Sequence, residues 1–221
     1  MRQSSIRAVV FDLDGLMLNT EELYVEVGTE ILRRRGKLFT QDLIDKMMGR
    51  PSAVALGLMI EEHALTDSVE QLLAETDAIF PDILRRRLAP MPGLLELLAA
   101  LEEHNIPKGI ATSSRRVFVD RVLPQLDLHA RFEFILTSED IVHGKPDPEI
   151  YLKAAAAHGV EPREMLVFED SANGCRAAVG AGAVTVAVPG HHSRVHDFSG
   201  VTLIADSLED PRIYGLLGIS H

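Results

Sequence analysis

Apolar and polar positions along the chain follow two rhythms. Short runs rich in β-branched and aromatic residues recur at IRAVVF (6–11), IPKGIAT (106–112), FEFILT (132–137), MLVFE (165–169), AVTVAV (183–188) and VTLIA (201–205). Such short, nearly continuous apolar runs are the pattern of parallel strands buried on both faces. Between them the apolar residues take helical spacing. Leu94, Leu95, Leu97, Leu98 and Leu101 fit one helix face after Pro92-Gly93, and EIYLKAAAAHG reads as a helix with Pro148 in its first turn and Gly159 at its end. Strand alternating with helix predicts an α/β fold: a doubly wound, mostly parallel, Rossmann-like sheet with helices on both faces.

Residues from about Thr20 to Pro90 break that alternation. TEELYVEVGTEILRRRG, TQDLIDKMMG, PSAVALGLMIEEHAL and SVEQLLAETDAIFPDILRRRL read as four helices with no strand between them. The expected organisation is an α/β core made of residues 1–18 and 91–221, with an all-helical domain, residues 19–90, inserted after the first strand.

Composition narrows the partners. The chain has 221 residues, 46% hydrophobic and 25% charged, the balance of an ordinary globular protein. A net charge of −11 sets most of its surface against a phosphate backbone, so no nucleic-acid partner is expected. No apolar run approaches the roughly 20 residues of a membrane span, and the N-terminus lacks the apolar core of a secretory signal. The chain is expected to be cytoplasmic, without a membrane partner, and a monomer or weak dimer. Its single cysteine, Cys175, excludes an internal disulfide and is read as buried packing.

Open parallel sheets bind ligands beyond the carboxyl ends of their strands. There the first run ends in Asp12-Leu13-Asp14-Gly15, and the second in Thr112-Ser113-Ser114. The third leads through Ser138-Glu139-Asp140 to Gly144-Lys145-Pro146-Asp147-Pro148, and the fourth ends in Glu169-Asp170-Ser171-Ala172-Asn173-Gly174. Singly, each has a plain structural reading: a turn, a helix cap, a solvated lysine, a pair of surface acids. Together they crowd Asp12, Asp14, Glu169 and Asp170 at adjacent strand ends, which is costly without a cation. Mg²⁺, with its preference for oxygen ligands, suits such a set, and phosphoryl transfer suits Mg²⁺. One carboxylate would attack phosphorus in line while its neighbour moves the proton, with Lys145 and the groups around Thr112 and Ser113 holding the phosphate oxygens.

FDLDG, ATSS, GKPDP and FEDSANG, in that order and with a helical insert after the first, resemble the haloacid dehalogenase superfamily, in its branch with the helical cap. The resemblance covers essentially the whole chain. It implies Asp12 as nucleophile and Mg²⁺ ligand, and Asp14 as general acid/base and ligand through its backbone carbonyl. Thr112 with the Ser113 backbone would bind phosphate, Lys145 would neutralise nucleophile and phosphate, and Asp170, helped by Glu169, would complete the metal site. The helical insert would be a lid, with Glu21, Tyr24, Gly49 and Arg50 as candidate substrate residues.

The resemblance also bears on the choice of reaction. Dehalogenases lack the second aspartate, because a halide leaves without a proton, so Asp14 argues against dehalogenation. β-Phosphoglucomutase is the serious alternative, but its cap histidine falls where this chain has Tyr24 and its cap arginine where it has Ser52. LNTEELY, MMGRPSAVA and LVFEDSANG are closer to phosphatases of sugar or nucleoside monophosphates, including pseudouridine-5′-phosphatase. The expectation is a Mg²⁺-dependent phosphatase of small phosphorylated metabolites working through an aspartyl-phosphate. The alternatives are a sugar phosphomutase and a catalytically silent phosphosugar-binding protein. Asn19 stands where relatives usually carry aspartate; an amide there is expected to keep a structural hydrogen bond better than an ionic role.

Overall fold

The computed structural model describes residues 6–47, 50, 52–190, 193–194 and 196–219. The chain divides into two compact units, Met1–Leu18 with Ala89–His221, and Asn19–Leu88.

The first unit is built on a six-stranded sheet ordered β3-β2-β1-β4-β5-β6. Its strands are β1 (Ala8–Phe11), β2 (Lys108–Ala111), β3 (Ile135–Leu136), β4 (Met165–Glu169), β5 (Val184–Ala187) and β6 (Leu203–Ile204). Every pairing is parallel. All six predicted runs form strands. The two at the sheet's edges, 132–137 and 201–205, shrink to two paired residues each, since an edge strand has a partner on one side only.

Chain order explains the position of the site. The strands run outward from β1 to β2 and β3, then restart on the other side with β4, so the order reverses between β1 and β4. That reversal is the switch point at which open α/β sheets form their ligand crevice. Right-handed crossovers put the helices of the two halves on opposite faces. These helices are α5 (Leu94–Glu103) and α6 (Arg116–Val122) for the first half, and α7 (Glu149–His158) and α8 (Ala172–Ala181) for the second. Val10, Met165 and Val167 pack with Ile150, Tyr151, Ala154, Ala177 and Ala178 in one buried cluster on the second face. On the other face Phe11 stacks on Phe168, its register partner, with ring centroids 5.0 Å apart.

Helix sequences behave as their spacing implies. Leu94, Leu97, Leu98 and Leu101 of α5 are fully buried, each contributing about 2 kcal/mol. Leu95, included in the predicted face, is 43% exposed, because the stripe turns away from it. Pro148 stands at the N-cap of α7, one residue before the first turn, and Gly159 closes the helix at φ 64°. A last helix, α9 (Pro211–Leu217), completes this unit.

Among its described residues the second unit holds four helices: α1 (Thr20–Arg34), α2 (Gln41–Met47), α3 (Ser52–His63) and α4 (Val69–Arg87). A capping box of Ser68 and Gln71 starts α4. Its two chain ends meet where Asn19 Nδ2 donates to the Arg87 carbonyl at 3.1 Å. The structural hydrogen bond expected of the amide is thus present, made by a donor that an aspartate lacks. Among the described residues no helix is long and apolar enough to cross a membrane.

Candidate active site

The carboxyl ends of β1, β2 and β4 supply the site. After β1 the chain turns through Leu13–Leu18, with Gly15 in the left-handed region at φ 77° and its N–H donating to the Leu18 carbonyl. Side chains alternate along a strand, so Asp12 continues the face of Val10, and Glu169 that of Val167. Both carboxylates therefore point toward the α7 and α8 side of the sheet.

Lys145 arrives there from the loop before α7. It is buried, with a side chain only 5% exposed. Its Nζ donates to Asp12 Oδ1 at 2.5 Å, Glu169 Oε1 at 2.6 Å and the Ala111 carbonyl at 3.0 Å. Its three protons thus meet three acceptors, and a solvated loop lysine is excluded. Burial opposes its charge, but Asp12 and Glu169 outweigh that and hold its pKa above the ordinary lysine value.

Glu169 is fully buried, and both of its oxygens are engaged by protein donors. Tyr151 Oη donates to Oε1 at 2.6 Å beside Lys145, while Ser171 offers its N–H at 3.3 Å and its hydroxyl at 3.1 Å to Oε2. Ser171 is also the N-cap of α8, accepting from Gly174 N–H at 3.0 Å. That first turn lies so close that a Cβ on Gly174 would fall 1.8 Å from Glu169 Oε1. Only glycine leaves room there for the carboxylate.

Asp14 is partly buried and turned toward the end of β2. Its Oδ2 accepts from Ser114 Oγ at 2.5 Å and, at 3.5 Å, from Thr112 Oγ1. Thr112 is buried, and its Oγ1 accepts Ser114 N–H at 3.0 Å. Ser113, between them, is exposed on the loop.

Asp12, Glu169 and Asp170 are all buried, each offering an oxygen within 4.8 Å of the others'. Among the described residues one lysine, Lys145, faces this set. Burial pushes the Asp12 carboxyl up to about 7; Glu169 and Asp14 push the same way, and Lys145 pulls against them. A group of oxygens this short of positive charge fits a divalent cation.

Most predicted core residues therefore come together at one edge: Asp12, Asp14, Thr112, Lys145, Glu169 and Asp170. The candidate substrate residues belong to the helical unit. Glu21 and Tyr24 lie on α1, where Tyr24 stacks on Phe80 of α4 with centroids 4.5 Å apart. Arg50 is exposed in a bend, and Gly49 lies outside the described residues. Beyond the reading of the two serines as helix caps, which Ser171 is, no part in the site was expected of Tyr151, Ser114, Ser171 or Gly174. The last three stand inside the motifs and could have been found there; Tyr151 looked like any apolar helix residue.

A family model described as haloacid dehalogenase-like hydrolase matches residues 9–188. A "Phosphorylated carbohydrates phosphatase" of Thermotoga maritima is 35% identical over 182 residues, covering 80% of this chain and 82% of the relative. A beta-phosphoglucomutase of Bacillus subtilis is 30% identical over 190 residues, 83% of each chain. The solved structure of a HAD family hydrolase from Deinococcus radiodurans shares the fold, with a TM-score of 0.82 at 24% identity, over 98% of this chain and 100% of that one. The four ordered motifs, the switch-point site and these matches agree: the chain belongs to the haloacid dehalogenase-like hydrolases, as a phosphoric monoester hydrolase.

Proposed function

We propose that the protein is a Mg²⁺-dependent phosphatase of small phosphorylated metabolites, sugar or nucleoside monophosphates, working through an aspartyl-phosphate. The observation that carries this reading is the surplus of carboxylates: Asp12, Glu169 and Asp170, buried within 4.8 Å of one another, against Lys145, the one lysine that faces them among the described residues.

Asp12 and Asp170 are the side chains read as Mg²⁺ ligands, together with the Asp14 backbone carbonyl. Glu169, whose oxygens already accept four hydrogen bonds, supports the site by holding Lys145. Bound there, the ion neutralises phosphate charge and lowers the proton affinity of Asp12.

Asp12 attacks phosphorus with the oxygen that Lys145 leaves free. An Oδ–P bond forms and the P–O ester bond breaks, and Asp14, entering the step with the proton it takes from water in the preceding turnover, turns from Ser114 to the ester oxygen and delivers that proton to the departing alcohol. In the second half Asp14 takes a proton from water as the water oxygen attacks phosphorus. The Oδ–P bond then breaks, releasing phosphate and restoring Asp12. Throughout, Lys145 stays on Asp12, and the Thr112 hydroxyl with the Ser113 N–H holds phosphate oxygens. Choice among esters falls to the helical unit, with Glu21, Tyr24, Gly49 and Arg50 as its candidates.

Phosphate release from p-nitrophenyl phosphate and a panel of sugar and nucleoside monophosphates tests the reading. Asp12→Asn is expected to reduce release by about 10³-fold or more, the scale of losing a covalent nucleophile. Activity is expected to vanish in EDTA and return with Mg²⁺. Turnover by Asp12→Asn at the wild-type rate would sink the mechanism.

Kinship with the Bacillus subtilis mutase favours a second reading, a sugar phosphomutase. Incubation with β-glucose 1-phosphate and a bisphosphate activator separates the two. Isomer without net phosphate release would replace the phosphatase by the mutase.

A further inference from the structure

Tyr151 is fully buried and heads the buried side chains in size. An apolar face of α7 calls only for an aromatic body there, which phenylalanine would supply. The hydroxyl is therefore the informative part, since a buried phenol needs a partner. Its partner is Glu169 Oε1 at 2.6 Å, the same oxygen that Lys145 Nζ approaches at 2.6 Å. The Tyr151 ring also stands beneath that ammonium, with its centroid 5.1 Å from Nζ. One side chain thus touches both the lysine and the acid that competes with Asp12 for it.

We propose that Tyr151 is a positioning residue that keeps Lys145 on the nucleophile. This rests on the reading of Asp12 and Lys145 given above. By donating to Glu169 Oε1, the phenol takes up part of that oxygen's acceptor capacity and weakens its hold on the ammonium. The ring face adds a contact to Nζ beyond its three acceptors, Asp12, Glu169 and the Ala111 carbonyl. Between them the lysine stays at 2.5 Å from Asp12 Oδ1. Without the hydroxyl, Glu169 Oε1 answers to Lys145 alone. The ammonium then shifts toward Glu169, and Asp12 and the phosphate lose part of their counter-charge.

Tyr151→Phe removes the hydroxyl and keeps the ring. Its kcat on p-nitrophenyl phosphate is expected to fall about tenfold, the scale of one hydrogen bond to a charged group, with KM inside about twofold of wild type. Because Tyr151 acts through Glu169, the double variant Tyr151→Phe/Glu169→Gln is expected to be no slower than Glu169→Gln alone. A second readout needs no turnover. The chain has three tyrosines and no tryptophan, so a wild-type minus Tyr151→Phe absorption difference isolates this phenol. A phenol donating to a carboxylate absorbs to the red, and in Glu169→Gln the same band is expected to move back to the blue.

The proposal falls if Tyr151→Phe keeps kcat within about twofold of wild type, or if the two substitutions are additive. It falls equally if the band ignores Glu169→Gln, or if the lost activity only tracks a lost folded fraction in thermal melts. A wild type with no turnover on any ester ends the functional reading and this proposal with it. A working wild type beside an unchanged Tyr151→Phe ends the proposal alone.

Discussion

The two edges of the one sheet handle charge in opposite ways. At the amino edge acids meet bases. Glu102 accepts Arg131 Nε and Nη2 at 2.8 Å each and has Lys108, the first residue of β2, at 3.1 Å. Arg7, just before β1, pairs with Glu164, just before β4, at 3.2 Å. At the carboxyl edge Asp12, Asp14, Glu169 and Asp170 gather around Lys145. The consequence shows in the protons: Arg131, joined by Lys108, holds the Glu102 carboxyl down to about 2, whereas burial lifts Asp12 to about 7. Matched charges hold a fold together; a buried surplus is a cost that the chain bears for chemistry.

The largest effect should come from removing the lysine of the surplus edge. Lys145→Ala leaves Asp12 and Glu169 facing each other unpaired. In EDTA it is expected to cost about 3–5 kcal/mol, a fall of roughly 6–20 °C in melting temperature. Calorimetry showing an unchanged melt would break the comparison at its strongest point. Next is Gly174→Ala, whose new Cβ must displace Glu169 or the start of α8. A loss of about 1–3 kcal/mol is expected, with kcat reduced in the fraction that stays folded. Urea unfolding and steady-state rates measure both.

The amino edge should respond more weakly. Glu102 has a folded pKa below its ordinary value of 4.5, so its contribution is full above about 4.5 and is lost as pH falls toward 2. Its side chain is 42% exposed, which limits that contribution to under about 1 kcal/mol. Glu102→Gln is expected to be slightly less stable than wild type at pH 7, and the gap should narrow as pH falls from about 4.5 toward 2. A gap that widens on acidification would contradict the assignment. Smallest of all, Arg7→Gln, at a pair 55% and 25% exposed, should leave the melting temperature within about 2 °C.

Much of this contrast was legible in residue order. Alternating apolar runs and helical stripes locate the strands and the insert, because burial on a parallel sheet demands continuous apolar runs. Acids at successive strand ends mark the reactive edge, because chain direction alone carries Asp12, Thr112 and Glu169 there. Which oxygen meets which donor was hidden. Asp14 turns to Ser114, Glu169 fills its acceptors with Tyr151 and Ser171, and Asn19 donates to the Arg87 carbonyl. Such choices depend on rotamers and on helix register against the sheet, and a Tyr151 spaced like its aliphatic neighbours carries no mark of them. The short edge strands follow the same logic, since pairing is a property of neighbours.

Two hydrogen-bonded crossings give the helical insert a further meaning. In the core, Leu18 bridges Pro90, and Met91 N–H donates to the Met17 carbonyl at 2.8 Å. In the insert, Asn19 is tied to Arg87. The chain therefore leaves and rejoins the core at one doorway, and everything between counts, for the sheet, as a loop of almost no span. Closing a longer or shorter loop changes its entropy only slowly. The insert has the anatomy of an exchangeable cassette: helices could be lengthened, replaced or shuffled between Asn19 and Leu88 while the hydrolytic edge keeps its register.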